Sequence, residues 1–377
     1  MGILAALVGN LAYRGANFLI KDPITPTPAD HCRRLHHDAL SASEDLTLLQ
    51  EGKVLMTSGA MIGPRGVFPL GSGQAIDGAI FLLDVATEKL THLPIEGLDV
   101  KFVPHGLFYS NTTKRLYVVN HAGEPGGSRI EIIDVLGDVD NLKLKLRQSL
   151  TSEKWGHYQI NDVVEASEDG SDLYVTNFQA FRQFVNGTHG SGGLAQVQDM
   201  VQTMAALSQI PLNKVWRCTT KDGQCTVAAG QLVAPNGITI STDRRTVFVS
   251  ELFKTAVEVF ERLPSGELKW VSRFTVKHPL DNLEYDTATG HLTGGGIPEP
   301  LVAVKAMASG VRGDVPGALL RITLLGTGGA SFVDGVQTDV VVHDGTKMAH
   351  VSAGLETLGK AVLGSPSNEG VLVCDVP

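Results

Sequence analysis

The sequence predicts an all-β chain: a six-bladed propeller around a polar central tunnel, preceded by an apolar helix and interrupted by one helical, lid-like insertion. Three observations carry this. A short polar signature recurs six times, each about ten to twelve residues ahead of a strand-like run. The copies lie about 45 to 75 residues apart, a period that suits propeller blades. Between them, apolar or alternating runs such as Ile80-Phe81-Leu82-Leu83-Asp84, Ile130-Glu131-Ile132-Ile133-Asp134 and Val257-Glu258-Val259-Phe260 are punctuated by Gly, Asp, Asn and Pro. Long amphipathic helices between strands are missing, which argues against a parallel βαβ sheet.

The elements follow in chain order. Residues 1–31 form an N-terminal hydrophobic segment and residues 32–377 the propeller. Ile3 to Val8 is apolar, but Asn10 and Arg14 end the run before it could span a bilayer; it reads as a signal peptide or as a retained helix lying on a membrane or lipid particle. Glu44-Asp45-Leu46 then precedes Val54-Leu55-Met56, and Pro104-His105-Gly106 precedes Leu116-Tyr117-Val118. Asn161-Asp162 precedes Leu173-Tyr174-Val175, Pro235-Asn236-Gly237 precedes Val247-Phe248-Val249, and Asp281-Asn282 precedes His291-Leu292. Ser352 before Ala361-Val362-Leu363 is the weakest copy. Each copy reads as the opening hairpin of a blade. The start of a hairpin's first strand lies beside the end of its second, so signature and return-strand end share one side of the blade. In the second copy these are His105 and Asn120-His121. The stretch from Arg182 to Pro211 breaks the rhythm: a Gly-rich entry leads into helical spacing at Val197, Val201, Met204 and Leu207. It reads as a lid or active-site wall, or equally as a cover for a hydrophobic surface patch.

The signature residues Glu44, Asp45, Asn161, Asp162, Asn236, Asp281 and Asn282 offer carboxylate and amide oxygens. Calcium takes roughly six to eight oxygen ligands, and this set suits two ions better than one. Any one of these residues alone reads more readily as turn chemistry; recurrence at matched blade positions is what argues for ligands. His105 and His121 add groups able to take a proton from water near neutral pH, the alternative being a strand-entry and a loop histidine. A net charge of −9 argues against nucleic acid as the main partner. There is no Gly-x-Ser-x-Gly elbow in a strand–turn–helix setting, no phosphate-binding loop and no dinucleotide fingerprint. Of the four cysteines, Cys32 and Cys374 lie near the chain ends, while Cys218 and Cys225 bracket a turn-rich stretch. That distribution suits two disulfides in an oxidising compartment, with four buried thiols as the alternative. Sequons at Asn111 and Asn186 agree with a secreted or lumenal glycoprotein.

Together, Ser43-Glu44-Asp45-Leu46, Pro104-His105-Gly106, Val118-Val119-Asn120-His121, Asn161-Asp162, Asn236-Gly237-Ile238 and Asp281-Asn282 resemble the serum paraoxonases, calcium-dependent arylesterases and lactonases. The resemblance runs from about Cys32 to Cys374. It implies a six-bladed propeller with two calcium ions in the tunnel. Glu44, Asn161, Asn236, Asp281 and Asn282 match the side chains that hold the catalytic ion. Asp45 and Asp162 match those of the structural ion, with Leu107 at the place of a backbone carbonyl ligand. His105 and His121 match a catalytic histidine dyad, and Cys32 and Cys374 a disulfide that closes the ring. The Cys218–Cys225 stretch, the Gly-rich segment from Asn186 to Gly193 and the loss of an unpaired cysteine near Gly296 depart from the mammalian pattern. The implied activity is hydrolysis of small esters and lactones, with phosphotriesters as further candidates. A non-catalytic calcium-stabilised binding propeller and a sugar-lactone hydrolase similar to gluconolactonases are the alternatives.

Overall fold

The structure is a computed structural model that describes residues 2–19, 30–59, 62–63, 66–67, 78–121, 128–156, 159–180, 193–309, 315–325, 335–344 and 347–376. Six antiparallel sheets follow one another around a ring. Their inner strands are Leu46–Gln50, Pro104–Ser110, Ile160–Glu165, Pro235–Ile240, Leu280–Tyr285 and Ala353–Thr357, which define blades 1 to 6. Each chain segment then steps outward by hairpins; blade 2 carries an extra parallel edge strand, Ile95–Glu96.

The reason for a ring is visible in the burial. Side chains alternate across a strand, and here both faces are apolar because each blade packs against two neighbours. Phe81 and Leu83 of blade 1 join Val362 and Val373 of blade 6, whereas Ile80 and Leu82, one residue out of phase, join Leu116 and Val118 of blade 2. The same sharing repeats between blades 2 and 3, 3 and 4, 4 and 5, and 5 and 6. The hydrophobic cores thus lie between blades rather than on the axis, which leaves the axis to polar groups. Runs such as Ile80-Phe81-Leu82-Leu83 are continuous rather than alternating for this reason.

The ring closes in blade 6, where the N-terminal strand Cys32–Leu35 pairs with the C-terminal strand Val371–Asp375. Cys32 and Cys374 are directly opposed and disulfide-bonded, and so are Cys218 and Cys225 across a hairpin of blade 3.

The two helices embedded in the propeller share one face. Helix α2 (Gly193–Leu207) and helix α3 (Pro300–Ser309) lie in the connections between the second and third strands of blades 3 and 5. That is the end at which the inner strands begin. Helix α1 (Gly2–Leu19) packs against both, and the Phe18 ring lies 4.8 Å from Phe253, in the matching connection of blade 4. Asn111 sits in the turn at the opposite face, exposed; Asn186 lies outside the described residues.

The two disulfides differ in the chain they constrain, with sequence separations of 342 and 7 residues. In the chain-entropy account the long closure contributes about 6 kcal/mol and the short one less than half of that. The paired replacement Cys32→Ser/Cys374→Ser is expected to lower the melting temperature well beyond Cys218→Ser/Cys225→Ser, checked by calorimetry of both variants.

Candidate active site

The first residues of the six inner strands, or those just before them, meet around the axis. Glu44, His105, Asn161, Asn236, Asp281 and Ser352 occupy one equivalent position on blades 1 to 6, and Asp45, Gly106, Asp162, Gly237, Asn282 and Ala353 the next. All are buried. The side chains form a connected set. His105 Nε2 accepts from Asn161 Nδ2 at 2.9 Å, and Nδ1 lies 3.3 Å from Glu44 Oε2. Asn282 Nδ2 donates to both the carbonyl and Oε1 of Glu44, at 3.1 and 2.9 Å. The Ser352 hydroxyl donates to the same carbonyl at 2.6 Å. Asn236 hydrogen-bonds the carboxylate of Asp281.

Over blades 1 to 4 the second position alternates acid and glycine, and blades 5 and 6 carry Asn282 and Ala353 there. Asp45 accepts from the backbone N–H of Leu46 at 2.9 Å and reaches across to that of Leu107 in blade 2 at 2.8 Å. Asp162 repeats this two blades on, accepting from Val163 at 2.7 Å and from Ile238 in blade 4 at 2.8 Å. Between them, glycine is a steric requirement. A Cβ on Gly106 would stand 2.5 Å from Asp162 Oδ1, and one on Gly237 2.5 Å from Leu283 N. The Pro-His-Gly and Pro-Asn-Gly signatures are therefore the small partners of the Glu-Asp and Asn-Asp signatures.

The two imidazoles lie together, ring centroids 5.0 Å apart. His121 follows the return strand of blade 2; its backbone N–H donates to Val103 O at 2.9 Å and its Nδ1 is 2.8 Å from Ser128 Oγ. Burial pushes His105 down to about 3, so its ring is neutral. With Nε2 accepting from Asn161, the proton of that neutral ring resides on Nδ1, facing Glu44.

Four carboxylates share this buried space, and among the described residues the one basic side chain within 4 Å of them is the neutral ring of His105, beside Glu44. Burial raises all four: Asp45 and Asp281 to about 7, Glu44 and Asp162 well above the usual carboxylate range, with repulsion from Asp45 adding to both of the latter. Beside them, Glu44 Oε2, Asn161 Oδ1, Asn236 Oδ1 and Asn282 Oδ1 are buried with no hydrogen-bond partner. Unbonded buried oxygens and uncompensated acids each carry a desolvation cost. A hard, oxygen-preferring divalent cation removes both at once, so this donor set fits calcium.

A sequence model of the arylesterase family matches residues 24–325. The chain belongs to the arylesterase family. Among characterised members, serum paraoxonase/arylesterase 2 of Gallus gallus is 27% identical over 79% of this chain and 78% of its own. Serum paraoxonase/lactonase 3 of Homo sapiens is 25% identical over 80% and 79% respectively. Among solved structures, a gluconolactonase of Xanthomonas campestris aligns with 95% of this chain and 98% of its own at a TM-score of 0.49 and 14% identity. Membership of the arylesterase family makes this chain an enzyme of the esterase/lactonase class.

The structure brings Glu44, Asp45, His105, Leu107, His121, Asn161, Asp162, Asn236, Asp281 and Asn282 to one end of the tunnel. Leu107 meets Asp45 through its N–H. Ser352, the weakest copy of the signature, joins them at the blade 6 position; Ser128 beside His121, and Glu284 further along the blade 5 strand, were not singled out in the sequence. Ser128 directly precedes the third strand of blade 2, Arg129–Leu136, and so falls at the site end by hairpin register. Glu284 follows Asn282 by two residues and shares its strand face.

Gly106→Ala tests the alternation. Its Cβ would press on the side chain and Cα of Asp162 and on the carbonyl of Asn161, so a loss of about 1–3 kcal/mol in stability is expected, as for overpacked cores. Denaturant titration checks it; unchanged stability would mean that the two blades do not meet as described.

Proposed function

We propose that this enzyme hydrolyses carboxylic esters and lactones at the histidine-bearing mouth of the tunnel, with two calcium ions bound on the axis. The observation that carries the reading is the meeting of two adjacent imidazoles with a ring of buried oxygens that lack partners. Glu44, Asn161, Asn236, Asp281 and Asn282 would hold the outer ion; Asp45 and Asp162, with the Leu107 carbonyl, the inner one. When bound, the outer ion supplies a Lewis acid that polarises the substrate carbonyl and stabilises the oxyanion.

The chain's own residues supply the rest. His105 is neutral, and its basic lone pair is on Nε2, the atom that would receive a proton from the attacking water. Glu44 faces the Nδ1 proton and favours the imidazolium once it forms. His121, fixed through Val103 and Ser128, stands where it can hold the neighbouring ring or pass the proton onward. The helices α1, α2 and α3 frame this mouth and would limit water and select substrates by shape. The names of the relatives, arylesterase and lactonase, agree with a carbonyl electrophile.

The same helical rim exposes Tyr13, Met200, Val201, Met204 and Val304. No described helix is long and apolar enough to cross a membrane. Apolar side chains gathered on helices beside a site mouth suit attachment to a lipid surface, and the reading includes such attachment.

Calcium withdrawal, two site variants and a flotation assay test these readings. Calcium withdrawal by a strong chelator is expected to abolish hydrolysis of phenyl acetate and of a γ-lactone and to lower the melting temperature. Asp281→Ala should lose both activities, and His105→Gln should lose about 100-fold or more in kcat for the lactone while keeping its calcium. Full activity and unchanged melting after verified calcium removal would overturn the proposal. For the rim, Met200→Ser/Met204→Ser should float with phosphatidylcholine vesicles less than the unaltered chain, at equal melting temperature; equal flotation would contradict lipid attachment through these helices.

A further inference from the structure

In blades 1, 2 and 4, the segment that leads the chain to its site residue is held by a side chain from the end of the second strand. In blade 2 that strand is Arg115–Asn120, and Asn120 Oδ1 accepts the backbone N–H of Val103 at 2.8 Å. Asn120 Nδ2 donates to Lys101 O at 3.1 Å and to Glu131 Oε1 at 2.7 Å. Val103 stands two residues ahead of His105. In blade 4 the second strand is Thr246–Glu251, and Glu251 takes the place of Asn120. Its Oε1 accepts the backbone N–H of Val233 at 2.5 Å, three residues ahead of Asn236. Blade 1 uses a hydroxyl: Ser58 Oγ accepts from the Ser41 N–H at 3.1 Å, three residues ahead of Glu44.

Blade 4 has one residue more than blade 2 between this hold and the site residue, and the backbone takes it up in a turn. Ala234, which is buried, lies at φ 44°, in the left-handed region that residues with a Cβ rarely adopt. Such a conformation persists only where its surroundings over-determine it. The next residue, Pro235, has no N–H. Val233 and Ala234 therefore carry the donors of this segment, and side chains take both. Glu251 holds the first, and Asn213 of blade 3 holds the second, its Oδ1 3.4 Å from Ala234 N. Asn213 is itself fixed through Nδ2 on the carbonyls of Asn177 and Phe178, at 3.0 and 2.8 Å.

Glu251 is fully buried and is fixed in its turn. Lys254 Nζ lies 2.8 Å from its Oε2 and 3.8 Å from Glu258 Oε1. Glu258 is paired with Val249 in the blade 4 sheet as Glu131 is with Val118 in blade 2, so the acid behind the hold is repeated as well. Arg273 and Trp270 both donate to Glu258, the indole Nε1 at 2.7 Å. We propose that Glu251 is a positioning residue of the site: through the Val233 N–H it fixes the left-handed turn at Ala234, and with it the place of the Asn236 side chain on the axis. The proposal rests on the reading above that Asn236 holds the outer calcium ion, and adds to it a residue that sets the affinity for that ion without touching it.

The test is calcium titration of the full chain against a fluorescent chelator, with melting temperatures measured on the same samples. The unaltered chain should bind two ions. Glu251→Leu should weaken one of them about tenfold, a loss typical when a partner behind a metal ligand is removed, and leave the other unchanged. Glu251→Gln keeps an acceptor for Val233 and reproduces the amide–carboxylate contact of Asn120 with Glu131, so it should restore the affinity. Tyr174→Phe is the control for lost stability alone. It removes a buried hydrogen bond to Gly266 O, in a turn at the opposite face of blade 4, and should leave both affinities unchanged. If Glu251→Leu does not fold, Glu251→Asp withdraws the carboxylate from Val233 by one methylene and should weaken the same ion. Two unchanged affinities, two ions weakened alike, a Glu251→Gln no better than Glu251→Leu, or the same loss in Tyr174→Phe overturns the role of Glu251 and leaves the two-calcium reading standing. An unaltered chain that binds no calcium overturns both.

Discussion

The burial of several carboxylates on one axis is the constraint on which the rest depends. Ionised acids packed together away from water repel each other and lose hydration, and backbone N–H groups answer only part of that cost. Asp45 and Asp162 each receive two such N–H groups, one from their own strand and one from the neighbouring blade. Glu44 and Asp281 receive side-chain amides from Asn282 and Asn236 instead. What these contacts leave over is negative charge and unbonded oxygen, and the proposed cations are its counterpart.

The propeller is what makes such an axis tolerable. Its apolar side chains pack between blades, so the centre does not have to be a hydrophobic core. The polar contacts of the tunnel in turn tie blade to blade, as when Ser352 and Asn282 both bond the Glu44 carbonyl across the closure of the ring. At the rim, that closure is repeated covalently by Cys32 and Cys374. Cation binding and ring closure would therefore act on the same interfaces, and a chelator should loosen the blades as well as the chemistry.

Much of this was legible in the sequence because it repeats. Six copies of a polar signature before a strand gave the number of blades, and hairpin register placed His121 beside His105. Helix α2 was visible as a 3.6-residue pattern at Val197, Val201, Met204 and Leu207. What repetition does not show is contact between blades. The approach of Gly106 to Asp162 and of Gly237 to Leu283 has no mark in the sequence. Ser128 carries no pattern of its own, and Glu284 stands outside the signature although strand periodicity puts it on the face of Asn282. The packing of α1 against α2 and α3 depends on which connections share a face, which only the assembled ring reveals.

Chemistry and fold converge on the two sets of oxygens, and their content is directly observable. A crystal structure of the chain grown with calcium, with anomalous scattering recorded at long wavelength, tests the account most directly. The account predicts two anomalous peaks on the propeller axis, one among Glu44, Asn161, Asn236, Asp281 and Asn282 and one beside Asp45 and Asp162. An axis without anomalous density, in crystals of protein that hydrolyses esters in the same solution, would contradict it.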